Sequence, residues 1–308
     1  MADVPYSGRR VYWCAQEQIQ DWRPSDSNTA GWQDIGTDGE MVCGRAARGS
    51  NLIWTTTDLW SMTYIGGDFV YSFKQEGGNC GIIAPEAVVL NDAGAFWMGF
   101  DRFFLYDGFV KVIPCEVGDY VFGRLNRTYA SKVWAVFNPQ FSEITWHYPS
   151  TGQTECDSYA TFNFLENHWA FGALARTAGV SRQPGAALVG PILITSAGVI
   201  YDHETGNTRS GASTPYLESG PVEIGQGDTV MRVQEIVPDD KTVGDVTASI
   251  YTALSPDGAE TLNGPYTLTA FTNVRLTARQ VRVRIVEAVA TAWRVGVIRL
   301  GLIAGGKR

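Results

Sequence analysis

The chain has 308 residues, 44% of them hydrophobic and 18% charged, with a formal net charge of −8. That balance excludes a disordered chain, and the acidic total argues against a surface built as a whole for duplex DNA or anionic membranes. The length suits one large or two medium domains, and 34 glycines with 12% aromatics lean toward short strands and tight turns.

The N-terminus, MADVPYSGRR, is too polar for a secretory leader. No run approaches the roughly 18 apolar residues of a spanning helix. The five cysteines (14, 43, 80, 115, 156) are odd in number and never spaced as CxxC, which reads as reduced thiols rather than a disulfide frame. The expectation is a soluble protein assembled in the cytosol, leaving a cell only by a route such as lysis.

Helical periodicity over three turns is absent. Residues 9–35, "RRVYWCAQEQIQDWRPSDSNTAGWQDI", read as the middle of a repeating unit rather than the start of a domain. From there, short apolar or alternating runs recur, broken by Gly, Asp, Asn and Pro: 51–67, 94–115, 132–150, 158–174 and 192–206. Each predicts a hairpin. "LIWTTTDLWSMTY", "AFWMGFDRFFLYD" and "ILITSAGVIYDHE" align with one another. Trp54 and Trp97 stand 43 residues apart in equivalent places, and Trp97 and Trp134 stand 37 apart. A period of about 40–50 residues, each made of a few antiparallel strands, is that of propeller blades. A four-stranded blade cannot bury both faces alone, so it stacks on its neighbours, and large aromatics fill the wedge between them. Trp54, Trp97, Phe103, Tyr106, Trp134 and Trp169 are the predicted structural aromatics. Residues 1–210 supply about four such blades, which predicts an open ring or one completed from outside the chain.

Composition changes near residue 210: nine of the ten tryptophans precede it, and only Trp293 follows. "GNTRSGASTPYLESG" (206–220) reads as a linker. Strands rich in Val, Thr and Ile follow, separated by turns at PDD, SPDG and NGP. They suit a two-sheet sandwich. The predicted fold is all-β: a partial or complete β-propeller over 1–210 followed by a C-terminal β-sandwich over 211–308.

The segment "GAFWMGFDRFFLYDGFVKVIPC" (94–115) holds seven aromatics within residues 96–109, around a turn at Asp101–Arg102. It reads as packing between blades rather than a platform for sugars or bases. The three histidines (147, 168, 203) show no metal-ligand spacing. Glu155 with Asp157, and Asp239 with Asp240, are the paired carboxylates; both pairs read as solvated turns rather than the two acids of a glycosidase. "SPDGAETLNG" (255–264) resembles a sialidase turn in part, but its closing aromatic is missing. GxSxG, HExxH and phosphate-binding loops are absent from the sequence. The expectation is therefore no catalytic residue, no metal and no cofactor.

The strongest polar signal is basic. Residues 274–308 carry Arg275, Arg279, Arg282, Arg284, Arg294, Arg299, Lys307 and Arg308 against Glu287 alone. In "VRVRIV", alternation sends Val281, Val283 and Ile285 inward and Arg282 and Arg284 outward. Three readings stand: a solvated strand face, a basic surface meeting an acidic neighbouring subunit, or direct phosphate contact. Arg275, Arg279, Arg282, Arg284, Arg294 and Arg299 are the candidate interface or DNA-facing residues.

Several stretches, taken in order, resemble one family. They are "RRVYWCAQEQIQDWRP", "SNLIWTTTDLWSMTYIGG", "CGIIAPEAVV", "FWMGFDRFFLYDG", "IPCEVGDYVFGRLNR", "HYPS", "NHWAFGALARTA" and "VGVIRLGLIAGGKR". Together they resemble the tail nozzle proteins of short-tailed bacteriophages, also called packaged-DNA stabilization or tail hub proteins. The resemblance implies a structural virion protein of the tail, with a propeller and an added sandwich. It implies a hexameric ring that continues the DNA channel and helps retain the genome. The implied partners are other copies of the chain, an adaptor, fibres or tailspikes, a needle or plug, and double-stranded DNA in transient passage, with no membrane. Members of that family carry a longer N-terminal part. The competing expectation is a propeller that binds or hydrolyses host surface polysaccharide.

Overall fold

The computed structural model describes residues 8–67, 69–181, 190–206, 214–225, 227–268 and 271–307. The chain divides into two compact units between Thr205 and Gly206, not at 210. Almost every element is a strand.

The first unit is a series of antiparallel sheets in chain order. A two-stranded pair comes first, β1 (Arg10–Trp13) with β2 (Gly31–Asp34). A four-stranded meander follows: β3 (Met41–Ala47), β4 (Ser50–Thr55), β5 (Leu59–Tyr64) and β6 (Tyr71–Gly77). The second meander is β7 (Val88–Asn91), β8 (Gly94–Met98), β9 (Phe103–Tyr106) and β10 (Val110–Ile113). A two-turn helix α1 (Gly118–Arg124) and a 3-10 segment (Arg127–Lys132) lead to the third: β11 (Trp134–Asn138), β12 (Glu143–Tyr148), β13 (Ser158–Asn163) and β14 (His168–Ala173). A three-stranded sheet, β15 (Ala178–Val180), β16 (Ile192–Ile194) and β17 (Ile200–Asp202), ends the unit. Consecutive four-stranded meanders packed face to face are propeller blades.

The expected hairpins at 51–67, 94–115, 132–150 and 158–174 fall on β4–β5, β8–β10, β11–β12 and β13–β14. Their two-residue side-chain period is why they were legible. The opening segment proves to be a two-stranded pair split by a 14–30 loop, because the polar run between Cys14 and Ala30 has no apolar alternation to pair. Helix α1 has only two turns, too short for the three-turn pattern sought in the sequence, yet it buries Val121 fully.

One core runs through the three meanders, from Leu52, Trp54 and Leu59 through Ile82, Phe96, Trp97 and Phe103 to Ile144, Trp146 and Phe162. The connection into the second meander passes tightly over the first: a methyl group added at Gly81 would be driven into the Thr56 carbonyl. Backbone cannot yield as a side chain can, so Gly81→Ala is expected to cost at least the roughly 1–3 kcal/mol typical of overpacking. A thermal melt that leaves this variant at the wild-type midpoint would refute it.

The second unit is a two-sheet sandwich. One sheet holds β18 (Tyr216–Glu218), β24 (Gln280–Glu287), β21 (Val246–Ala253) and β22 (Thr261–Thr267), in that order, with β19 (Val222–Glu223) also pairing β24. The other is β23 (Thr272–Ala278), β20 (Thr229–Pro238) and β25 (Ile298–Lys307). Met231, Val233 and Ile236 of β20 meet Ala248 and Ile250 of β21 and Val281, Val283 and Ile285 of β24 in its core. The expected linker at 206–220 is corrected in part: Tyr216–Glu218 is a strand that pairs β24, too short between Pro215 and Gly220 to be read as one. Residues 207–213 of that expected linker lie outside the described residues.

Candidate functional site

The aromatic hairpin resolves into two seams. Alternation along β8 sends Phe96 one way and Trp97 the other, and both are buried because the blade is covered on both faces. Trp97 faces the first meander, edge-on to Trp54 with ring centroids 5.7 Å apart, and stacks on its cross-strand partner Phe104 at 5.3 Å. Phe96 and Phe103 face the third meander. Phe96 meets Phe164 at 5.5 Å, and Phe103 meets Trp146 at 4.7 Å and Trp169 at 4.6 Å.

The indole N–H groups tie these seams to backbone. Trp97 donates to the Cys80 carbonyl at 2.8 Å, Trp146 to Ala87 at 3.0 Å, Trp169 to Pro114 at 2.8 Å and Trp134 to Arg176 at 3.2 Å. Each acceptor lies on a segment leading into or out of a neighbouring sheet. A buried indole thus supplies area and a satisfied polar handle at once. The buried Trp54 N–H has no partner among the described residues.

Trp54, Trp97, Phe103 and Trp134 are buried, while Trp169 and Tyr106 are half-buried. The Tyr106 phenol bonds Glu76, and burial with that neighbouring charge pushes its pKa up. Two expectations change. Phe100 and Phe109 are exposed at turns, so five of the seven hairpin aromatics pack. The equivalent of Trp54 and Trp97 is Trp146, on the second strand of the third meander, whereas Trp134 starts its first strand. Trp134 instead stacks on His147, centroids 4.5 Å apart.

That stack belongs to a cluster the sequence spacing did not reveal. His147 is 1% exposed, and neither ring nitrogen makes a well-formed hydrogen bond, although the Leu174 backbone lies close. Arg176 is buried, donates from Nε to His203 Nε2 at 3.1 Å and lies over the Tyr201 ring at 4.2 Å. Burial, then His203 and Arg176, push the His147 pKa down to about 3. Burial and Arg176 lower that of His203. Nearby, Asn138 donates to Glu204 at 3.3 Å. Burial raises the pKa of both Glu143 and Glu204, the charge of Glu204 adding to that of Glu143. Among the described residues, no group of three or more His, Cys, Asp or Glu is placed to hold a metal.

Three of the four carboxylates singled out from the sequence are engaged in turns, while Asp240 is exposed. Asp157 accepts from the Ser150 N–H and hydroxyl, both at 2.7 Å, and Glu155 pairs Lys132. Asp239 accepts from the Val297 and Lys241 N–H groups at 2.9 and 3.2 Å and from the Thr242 hydroxyl at 3.0 Å. The Val297 N–H is the largest cause holding its pKa below the usual carboxylate range. Gly258 closes the 255–258 turn by donating to the Ser255 carbonyl at 3.0 Å.

The six arginines do not form one surface. Arg282 and Arg284 point outward from the β18–β24–β21–β22 sheet, as alternation predicted. Arg282 pairs both Glu218 and Glu260 and covers Tyr251; Arg284 reaches Glu218 at 3.6 Å and covers Tyr216. Their charge is spent within the sheet. Arg275 and Arg299 are exposed on β23 and β25, in the opposite sheet. Arg279 sits in the turn between β23 and β24, and Arg294 is exposed where its backbone bridges Val243. Arg308 lies outside the described residues. Because Arg282 sits in a screened, partly exposed network, Arg282→Gln is expected to cost under about 1 kcal/mol. That cost should shrink further at high salt, as chemical denaturation at two ionic strengths would reveal.

No protein-family model matches the chain, and no curated protein matches it. Among solved structures, it is similar to the exo-beta-1,3-galactanase of Phanerochaete chrysosporium, at 10% identity and a TM-score of 0.24, over 83% of this chain and 78% of that one. A likeness this slight assigns no activity here. No helix among the described residues is long and apolar enough to cross a membrane.

Proposed function

We propose that this chain is a structural ring subunit of the tail nozzle of a short-tailed bacteriophage. The observation that carries the reading is the order of parts: blade after blade, then a separate sandwich, matching what the ordered sequence stretches imply. In this reading the blades form a rigid wall and the sandwich carries contacts to other tail proteins. The acidic bulk of the chain keeps the wall from holding passing DNA, since each phosphate contact adds affinity. No side chain is assigned a catalytic role. Most of the residues that motivated a glycan-acting propeller are occupied otherwise: five of the seven hairpin aromatics are packed, and Asp157 and Asp239 are engaged in turns.

Immunogold labelling of virions with an antibody to this chain tests the reading. Label at the distal tail is expected, and label confined to the capsid, or none, would sink it. A glycan-binding screen with a reducing-sugar assay should stay silent; a positive result in either would favour the polysaccharide reading.

A further inference from the structure

The outer face of the β23–β20–β25 sheet differs in its charge pairing from that of the β18–β24–β21–β22 sheet. Arg232, Arg275 and Arg299 are all exposed on it, one from each strand. None makes an ion pair with a described residue, in contrast to Arg282 and Arg284 across the sandwich. Register spreads them along one face, with Arg232 and Arg299 roughly 13 Å apart along the strands. Arg232 lies opposite Thr277 on one side and Ile303 on the other, Arg299 lies opposite Val237, and Arg275 falls at the bulge between Val233 and Glu235. All three share the outer face, Arg275 lying between the other two along the strand direction.

We infer that this face is an interaction surface whose occupant is the acidic N-terminal unit of a second copy of the chain. Two observations choose a protein over a phosphate backbone. Glu235 lies against Gly301 within the patch, a carboxylate that a protein surface of mixed charge can match with a cation and a uniformly anionic polymer cannot. Ile303, 47% exposed beside Arg232, adds an apolar contact of the kind found at the centre of protein interfaces. A third observation chooses the copy. Residues 1–205 hold 13 Lys and Arg against 22 Asp and Glu, net −9, whereas residues 206–308 hold 11 against 10, net +1. Each chain therefore brings both an acidic unit and an arginine face. Joining one to the other is a head-to-tail contact, which generates rings or filaments rather than closed pairs. Arginine suits the role because its planar fork binds carboxylates two bonds at a time.

The second copy as occupant rests on the ring-subunit reading; the patch itself does not. The test is sedimentation of the full chain across a range of concentration and salt. Wild-type protein should self-associate at low salt, at least tenfold more weakly when salt is raised. R232E/R275E/R299E should stay monomeric with an unchanged circular dichroism spectrum, while K241E, a charge reversal in the turn after β20, should associate like wild type. A monomeric wild type, or a triple variant that associates normally, overturns the inference. So does a triple variant that keeps association but loses binding to a 30-base-pair duplex, which would give the face to phosphate. Tail label on virions with a normally associating triple variant rejects this surface and leaves the nozzle reading standing; loss of association without tail label does the reverse.

Discussion

Replacing Trp97 with alanine lowers the stability of the N-terminal unit by about 3–5 kcal/mol, the range for emptying a large aromatic site in a packed core. Three losses combine. The ring is fully buried, so its whole area is returned to solvent or left as a void. The edge contact to Trp54 and the stack on Phe104 disappear, and such ring pairs are worth about 0.5–1.5 kcal/mol beyond their area. The Cys80 carbonyl also loses its donor. Trp97→Phe separates these terms, because it keeps a ring in the seam but cannot donate; its cost should fall nearer the roughly 1–3 kcal/mol of an orphaned buried acceptor. Urea unfolding followed by tryptophan fluorescence reports the right unit, since nine of the ten tryptophans precede residue 206. A loss below about 1 kcal/mol for the alanine variant would mean the seam does not hold the blades together.

The seams were legible because a hairpin advertises itself through a two-residue period and a polar turn, both local. What crosses between sheets was not. The phase of the tryptophan repeat slipped at the third blade, where α1 and the 3-10 segment lengthen the connection and move the equivalent position from Trp134 to Trp146. The arginine run misled for a related reason. β23 and β24 are joined by a single residue, Arg279, yet belong to opposite sheets, so Arg275 and Arg282 are close in sequence and face away from each other. A count of charge along a segment cannot see that reversal. The missing third member of the basic patch, Arg232, sits more than 40 residues earlier and joins only through strand pairing. The His147–Arg176–His203 cluster was hidden in the same way, because its members share no spacing and meet only when the third meander and the sheet after it fold.

That cluster makes the N-terminal unit acid-sensitive. An unfolded histidine titrates near 6.5, whereas folded His147 is held down to about 3, first by burial and then by His203 and the Arg176 cation. Below pH 6.5 the unfolded chain therefore binds a proton that the folded chain refuses. Stability contributed above pH 6.5 is then lost progressively as pH falls toward about 3, at roughly 1.4 kcal/mol per pH unit once well below 6.5. From this residue alone the loss at pH 5 should reach about 2 kcal/mol. His203 shifts the same way, and its protonation would also remove the lone pair that accepts from Arg176. Glu143 and Glu204 act in the opposite sense: their folded pKa values are raised, so their protonation restores stability at lower pH. Histidine dominates between pH 7 and 5.5, and the measurement belongs there. His147→Phe keeps a ring against Trp134 and removes two buried nitrogens that lack good partners, a change expected to be near neutral at pH 7. Urea midpoints at pH 7 and 5.5 should show a clear acid loss in the wild type and a smaller one in H147F. Equal losses in the two proteins would mean that His147 accepts a proton in the folded state and is not held neutral by its burial.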